Sequence, residues 1–287
     1  MSLGANAAAP PSADRIAVSA ITIDFGNTLV RVDQSGLRAV VEQTADAIAA
    51  RGVRVDRAAF LTAWVEERER QFREDIPEFR EPDIERRAAR VLARQRGIAP
   101  PPPEERWDDV AAAALAEPAE IAEIVEAYGA AFVNRMDPVA DATSTLAGLS
   151  ERGIALAILS NWPLAATIDR FAAAHGWLPY LRAIVVSQRV GWIKPHAAIF
   201  RAAEQALGLA QAAGSGILHV GDDWAADVVG ASKAGWRTAY LRNRQAGSPL
   251  PASEPGDGVA VGEPTIAADL EIDELSELDA LVDFAPT

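Results

Sequence analysis

Ile16-Ala17-Val18-Ser19-Ala20-Ile21-Thr22-Ile23-Asp24-Phe25-Gly26-Asn27-Thr28 is the stretch on which the fold turns. An apolar, β-branched run ends abruptly in a carboxylate, a glycine and two small polar residues. Short apolar runs bounded by turn residues predict strands buried on both faces, here over 16–23. Four later segments repeat the pattern: Ile154–Leu159 before Ser160-Asn161, Ala183–Val186 before Ser187, Gly216–Val220 before Gly221-Asp222, and Arg237–Leu241. Between them lie helix-length segments, Asp141–Glu151, Leu164–His175, His196–Leu207 and Ala225–Ala234. This alternation predicts an α/β fold whose parallel sheet is covered on both faces. Ligands of such sheets sit beyond the carboxyl ends of the strands, at a topological switch point. The segment from Gln245 to Pro264 reads as loop, remote in sequence from the other polar clusters. Ala268–Ile272 then predicts a last short strand and Glu274–Val282 a terminal helix.

Residues 35–137 have a different texture. Leu37–Ala50, Arg57–Arg73, Asp83–Arg96, Glu105–Leu115 and Ala119–Asn134 are rich in Ala, Glu and Arg, with apolar residues at helical spacing. Pro100 to Pro103 form a stiff connector, since prolines cannot occupy a helix interior. The expected organisation is a core domain over 16–34 and 138–287, an all-helical domain over 35–137, and a disordered segment over 1–15. The Arg/Glu-rich stretch Glu66–Arg70 reads as a solvated helix face.

Composition narrows the function classes. The chain of 287 residues carries 27 Lys plus Arg against 41 Asp plus Glu, a net charge of -14, and no Cys. Disulfides, thiolate metal sites and Cys nucleophiles are excluded, and the acidity argues against duplex nucleic acid as a partner. Neither a secretory signal nor a run of about 18 apolar residues occurs, so a cytoplasmic protein without membrane attachment is expected. Ten of the acids fall in 246–287, which holds no basic residue. Lysine is scarce: Lys194 and Lys233 are the only two.

Polar residues converge at the predicted strand ends. Asp24 and Thr28, Ser160 and Asn161, Lys194, and Asp222, Asp223 and Asp227 would meet at one edge of the sheet. Carboxylates, a hydroxyl and one ammonium are complementary to a phosphate with a hard divalent cation such as Mg²⁺. Asp24 could then attack phosphorus as a carboxylate nucleophile. His175, His196 and His219 read as structural. Trp162, Trp192 and Trp224 sit near these clusters and read first as packing residues.

The four clusters Asp24-Phe25-Gly26-Asn27-Thr28, Ser160-Asn161, Lys194-Pro195 and Gly221-Asp222-Asp223 with Asp227 resemble the four motifs of the haloacid dehalogenase-like hydrolase superfamily. Each follows the expected strand in the expected order, and the helical insertion matches a cap between motifs one and two. The resemblance covers roughly residues 16 to 283. It implies a Rossmann-like core, a helical cap and Mg²⁺-dependent phosphoryl transfer from a small phosphorylated metabolite through an aspartyl intermediate. By resemblance, Asp24 is the nucleophile and a metal ligand, and Gly26 gives the metal its backbone carbonyl. Asp222, with Asp223 or Asp227, completes the metal site. Asn27, Thr28, Ser160 and Asn161 hold the phosphoryl group, and Lys194 bridges nucleophile and phosphate. One departure stands out. Most phosphatases of this family carry an acid/base Asp two positions after the nucleophile, where this chain has Gly26. A cap carboxylate near Asp75–Asp83 is one replacement. Two alternatives stay open: a metal-independent 2-haloacid dehalogenase, and a non-catalytic member that binds a phosphate ligand. The phosphonatase branch, which needs a cap lysine, does not fit a segment without Lys.

Overall fold

The computed structural model describes residues 15–209, 216–242, 248–259 and 264–286. The expected disordered segment therefore lies, but for Arg15, outside the described residues. Six strands form one parallel sheet: β2 (Ala20–Ile23), β3 (Ala155–Ser160), β4 (Leu181–Val186), β5 (Ile217–Gly221), β6 (Arg237–Leu241) and β7 (Leu270–Ile272), in the order β4-β3-β2-β5-β6-β7. The chain builds outward from β2 through β3 to β4, then crosses back to place β5 on the other flank of β2. The switch point of the sheet thus lies beside the end of β2, where Asp24 begins. All four residues of β2 are buried, which is why the strand reads as a continuous apolar run.

The predicted first strand is two. β1 (Ile16–Val18) pairs with β8 (Val282–Phe284) in a separate two-stranded sheet, and β2 starts after Ser19. Ser19 makes the transition by giving its backbone N–H and its hydroxyl to Gly216 O, at 2.8 and 3.2 Å. The predicted terminal helix is correspondingly shorter. A 3₁₀ turn (Leu275–Glu277) and four helical residues precede β8, because pairing with β1 in the register Ile16↔Val282 satisfies the backbone of the last apolar residues.

The helices are α1 (Gln34–Ala50), α2 (Arg57–Asp75), α3 (Ile84–Gln95), α4 (Asp109–Ala114), α5 (Pro118–Arg135), α6 (Ala142–Glu151), α7 (Ala165–Ala174), α8 (Ser187–Val190), α9 (Ala197–Leu207), α10 (Gly230–Lys233) and α11 (Leu278–Leu281). Aspartates start several of them: Asp33, Asp56, Asp83 and Asp108 each accept from the backbone N–H three residues on, filling donors that the first turn leaves free. Helices α1 to α5 form the insertion, with α1 against α5 and α2 against α3. Its two connections to the sheet run side by side, joined by the Val30↔Pro138 bridge and by Val139 N–H to Leu29 O at 3.0 Å.

The insertion and the sheet share one apolar cluster. Phe25 meets Trp162 edge-on at 5.3 Å between ring centroids and Phe171 at 5.5 Å, while Phe132 of α5 meets Trp162 at 5.0 Å. Rings in this geometry add about 0.5–1.5 kcal/mol per pair beyond their burial. The Glu66–Arg70 stretch is not the solvated face its composition suggested. Glu67 and Arg70 are buried between α2, α3 and the proline connector, Arg70 donating to the carbonyls of Pro101, Pro102 and Glu105. Buried ions of this kind survive only when each is paired, and Arg90 with Glu74 (2.8 Å) and Asp109 (2.6 Å), and Arg94 with Glu67 (3.0 Å), meet that condition.

Candidate active site

Beyond the carboxyl ends of β2, β3 and β5 lies a cavity of about 360 Å³, bordered on the sheet side by Asp24, Gly26, Asn27, Asn161, Lys194, Asp222 and Asp227. Lys194 is its electrostatic centre. The side chain is buried, and its Nζ donates to Asp24 Oδ1 at 2.7 Å, Asp227 Oδ1 at 2.6 Å and Leu159 O at 2.9 Å, using all three protons. Burial works against the ammonium charge, but Asp227 and Asp24 outweigh it and hold Lys194 protonated well above the usual lysine range. Asn161 fixes the loop that carries it: Lys194 N–H donates to Asn161 Oδ1 at 2.6 Å, and Asn161 Nδ2 returns a bond to Lys194 O at 3.0 Å. The Lys194–Pro195 peptide is cis.

Asp227 is held from behind. His219 Nε2 lies 2.9 Å from Asp227 Oδ1, and His219 Nδ1 lies 2.8 Å from Thr22 Oγ1, the residue directly across the β2–β5 ladder. Asp223 N–H donates to Asp227 Oδ2 at 3.0 Å. Burial would raise the Asp227 carboxyl, yet Lys194 and His219 hold it well below the usual carboxylate range. Gly221 makes room for this contact, since a Cβ there would stand 2.1 Å from Asp227 Oδ2. Asp24 goes the other way. Burial raises its pKa, Lys194 counteracts this, and the charge of Asp227 adds to it.

Oxygens of Asp24, Asp222 and Asp227 can all lie within 4.8 Å of one another. This hard, all-oxygen set suits Mg²⁺, and the carboxylates need a counter-charge beyond the single ammonium. Asp223 stands apart. Its Oδ1 accepts from Ala226 N–H at 3.0 Å and from the Ser253 hydroxyl, capping the π-helical turn Trp224–Val229 that leads into α10. Thr28 Oγ1 donates to Asp222 Oδ1 across 3.4 Å. Ser160 Oγ, at the end of β3, is buried without a hydrogen-bond partner, a costly state that an oxyanion would relieve. Asn27 has a left-handed backbone, φ 60°, and sends its side-chain amide to Ser248 Oγ at 2.9 Å.

Four features of the site go beyond the strand-end clusters. His219, which read as structural, supports a charged member of the site. The segment Ser248–Ser253, remote in sequence, crosses the cavity and places Leu250 against Gly26. Trp162 both packs and borders the cavity. The fourth is the wall contributed by the insertion, made of Arg68, Phe72, Phe79, Glu81, Arg87 and Tyr128. Glu81 falls within the 75–83 window. It accepts a 2.5 Å hydrogen bond from Ser187, whose own oxygen accepts from Trp162 N–H, and burial pushes its carboxyl up to about 7.

Comparison with known proteins agrees with this geometry. A family model described as haloacid dehalogenase-like hydrolase matches residues 18–235. A ribulose-1,5-bisphosphate 5-phosphatase of Halopiger xanaduensis is 31% identical over 166 residues, 58% of this chain and 65% of that protein. The match thus spans just under two thirds of the relative's length. Among solved structures, a 2-haloacid dehalogenase from Pseudomonas syringae pv. Tomato superposes with a TM-score of 0.60 at 20% identity, over 92% of this chain and 97% of the other. The magnesium-bound HAD-hydrolase YfnB of Bacillus subtilis gives 0.54 at 18% identity, over 91% and 97%. At such identities the likeness is one of fold. No helix among the described residues is long and apolar enough to cross a membrane.

Proposed function

The chain belongs to the haloacid dehalogenase-like hydrolases, and on that premise we propose that it is a Mg²⁺-dependent phosphohydrolase of small phosphorylated metabolites, with residues 35–137 as a cap over the site. The observation that carries this reading is the cluster of Asp24, Asp222 and Asp227 around a single buried ammonium. So much negative charge would repel the carboxylate of a haloacid, whereas a cation and a phosphoryl group together balance it. The phosphatase relative, whose named substrate is a sugar bisphosphate, supports the same class.

Asp24 is the nucleophile. Lys194 holds its Oδ1, leaving Oδ2 to form the bond to phosphorus as the bond to the leaving alcohol breaks. Ser160, with Thr28, Asn27 and Asn161 around it, holds the phosphoryl oxygens, and Lys194 neutralises charge on the nucleophile. Asp24, Asp222 and the Gly26 carbonyl, with Asp227 or Asp223 behind them, would hold Mg²⁺, which supplies positive charge to the phosphoryl oxygens. Glu81 takes the place of the missing acid. Ser187 bonds one of its carboxyl oxygens, and the other carries the proton given to the leaving alcohol. The resulting carboxylate then takes a proton from the water that cleaves the aspartyl-phosphate, returning Asp24 and Glu81 to their starting states. Closing the cap over this chemistry excludes bulk water.

A phosphate-ester panel with and without Mg²⁺ tests the reading. Turnover that requires Mg²⁺ and vanishes in Asp24→Asn is the expected result. Chelator-insensitive halide release from 2-haloacids would replace it with dehalogenation, and tight phosphate binding without turnover would select a non-catalytic role.

A further inference from the structure

The buried and half-buried arginines of α2 and α3 divide into two kinds. Arg70, Arg86, Arg90 and Arg94 each lie within ion-pair distance of a carboxylate: Glu67, Asp75, Glu74 with Asp109, and Glu67. Arg87 and Arg68 do not. Among the described residues, no carboxylate lies in ion-pair range of either.

Arg87 is 2% exposed and borders the cavity. Its Nε donates to Gln71 Oε1 at 2.8 Å and its guanidinium lies 5.6 Å from the centre of the Trp64 ring. Its Nη2 is buried with no hydrogen-bond partner. Arg68 borders the same cavity, 4.8 Å over the Phe72 ring, and its one acceptor is the carbonyl of Pro249. The two cations repel each other, and the charges of Glu81 and Asp83 reach Arg87 only from beyond ion-pair distance. Tyr128, also facing this wall, is a neutral phenol whose ionisation burial opposes.

A buried guanidinium without an anion is expensive, and a second one beside it makes it more so. Arg70 and Arg90, the other buried arginines of these helices, have carboxylates in contact, whereas Arg87 has none, so an anion brought by a ligand would complete this wall. Guanidinium groups bind carboxylate and phosphate through paired N–H donors, and the unused Nη2 is such a donor.

We propose that the cap wall of the cavity, Arg87 with Arg68 beside it, is a second oxyanion subsite, so that the preferred substrate carries an anionic group besides the phosphoryl group attacked by Asp24. This rests on the phosphohydrolase reading for the first anion only. The class of substrate is a short, doubly anionic phosphate ester, either a bisphosphate or a phosphorylated carboxylic acid.

The test uses α,ω-alkanediol monophosphates, the matching bisphosphates, and ω-phosphorylated carboxylates, with two to five carbons. In wild-type protein with Mg²⁺, the best doubly anionic ester should exceed its monophosphate counterpart at least tenfold in kcat/KM. Whether the second group is phosphate or carboxylate is read from which series wins. Arg87→Gln should erase that preference while changing kcat/KM for the monophosphates less than threefold. Arg68→Gln should reduce it, and decides the matter if Arg87→Gln fails to fold. Equal rates for singly and doubly anionic esters in wild type, or a parallel loss for both in the variants, overturns the subsite. Calorimetric binding of the same compounds to Asp24→Asn separates the two readings. Without turnover in wild type, tighter binding of bisphosphate than monophosphate that is lost with Arg87→Gln upholds the subsite though the hydrolase reading fails. Equal binding sinks the subsite.

Discussion

Leu250 Cδ1 lies 2.6 Å from where a Cβ on residue 26 would stand, and Trp162 Cζ3 lies 3.3 Å from it. Gly26 is therefore more than the loss of an acid. The space into which a side chain would project is filled by a residue from a distant segment, so the two positions form a matched pair. Gly26→Asp alone should cost about 1–3 kcal/mol by overpacking and should not raise turnover. Gly26→Asp with Leu250→Ala should recover most of the stability and raise kcat on poor leaving groups. Thermal unfolding and kcat on an alkyl phosphate measure both effects.

The proton of Glu81 sets a pH dependence. As a general acid it must be protonated, and burial places its pKa at about 7, so kcat/KM for poor leaving groups should fall as pH rises through 7. Glu81→Gln should lose that limb and about 10²–10⁴ in rate on such esters, with a far smaller loss on activated aryl phosphates. The stability effect has a definite sign. The folded pKa lies above the ordinary glutamate value of 4.5, so Glu81 costs stability increasingly as pH rises from 4.5 through 7. Glu81→Gln should unfold at a higher temperature than wild type at pH 8 and at the same temperature at pH 4.5.

Lys194 joins two carboxylates that would otherwise face each other in a buried site. Lys194→Met leaves them uncompensated, and breaking a buried pair of this kind costs about 3–5 kcal/mol. Chemical denaturation should show that loss alongside abolished turnover. Lys194→Arg should keep more stability but not activity, because a planar guanidinium cannot reproduce the three-way contact with Asp24, Asp227 and Leu159 O.

His219 acts through Asp227 and is a positioning residue. His219→Leu should lower activity by about 10–100-fold, the usual cost of losing a group that orients a charged side chain in a metal site. Asn27 and Ser160 are untouched by this change, so KM should move less than kcat. Thr22→Val removes only the bond to His219 Nδ1 and should give a weaker version of the same effect.

Mg²⁺ should raise the unfolding temperature of the wild-type protein in a concentration-dependent way, since a ligand of the folded state stabilises it by mass action. Asp222→Asn should remove most of that shift, and chelator should reverse it in wild type. A calorimetric scan shows this without any assay of turnover.

The sheet and the strand-end clusters were legible because they rest on local pattern. A strand buried on both faces, such as Ile154–Leu159, cannot help reading as an apolar run, and the polar residue after it marks the strand's carboxyl end. The insertion was legible as helices and, by resemblance, as a cap with a carboxylate near 75–83, but which of its arginines border the cavity was not. In an Arg/Glu-rich helix, periodicity does not tell Arg87, buried and unpaired, from Arg38, which is exposed and bonded to Glu42. Ser248–Ser253 was hidden for another reason. A loop's position depends on hydrogen bonds to distant partners, here Asn27, Asp223 and Ala225, and no spacing within the segment records them. The split of the first strand at Ser19 was likewise invisible, because its cause is a carbonyl at Gly216.

The paired connections at Val30 and Pro138 carry a mechanical meaning. A domain tethered by two separate strands can slide or twist, but two strands stitched together at one point leave a pivot. That pivot is the continuation of the loop bearing Asp24, and Asn27 N–H bonds Val30 O at 2.7 Å within it. Any swing of the helical lobe therefore pulls on the segment that aims the nucleophile. Substrate-driven closure of the lobe would therefore move the loop of Asp24 with it, and shutting the cavity and aligning the nucleophile would be one event.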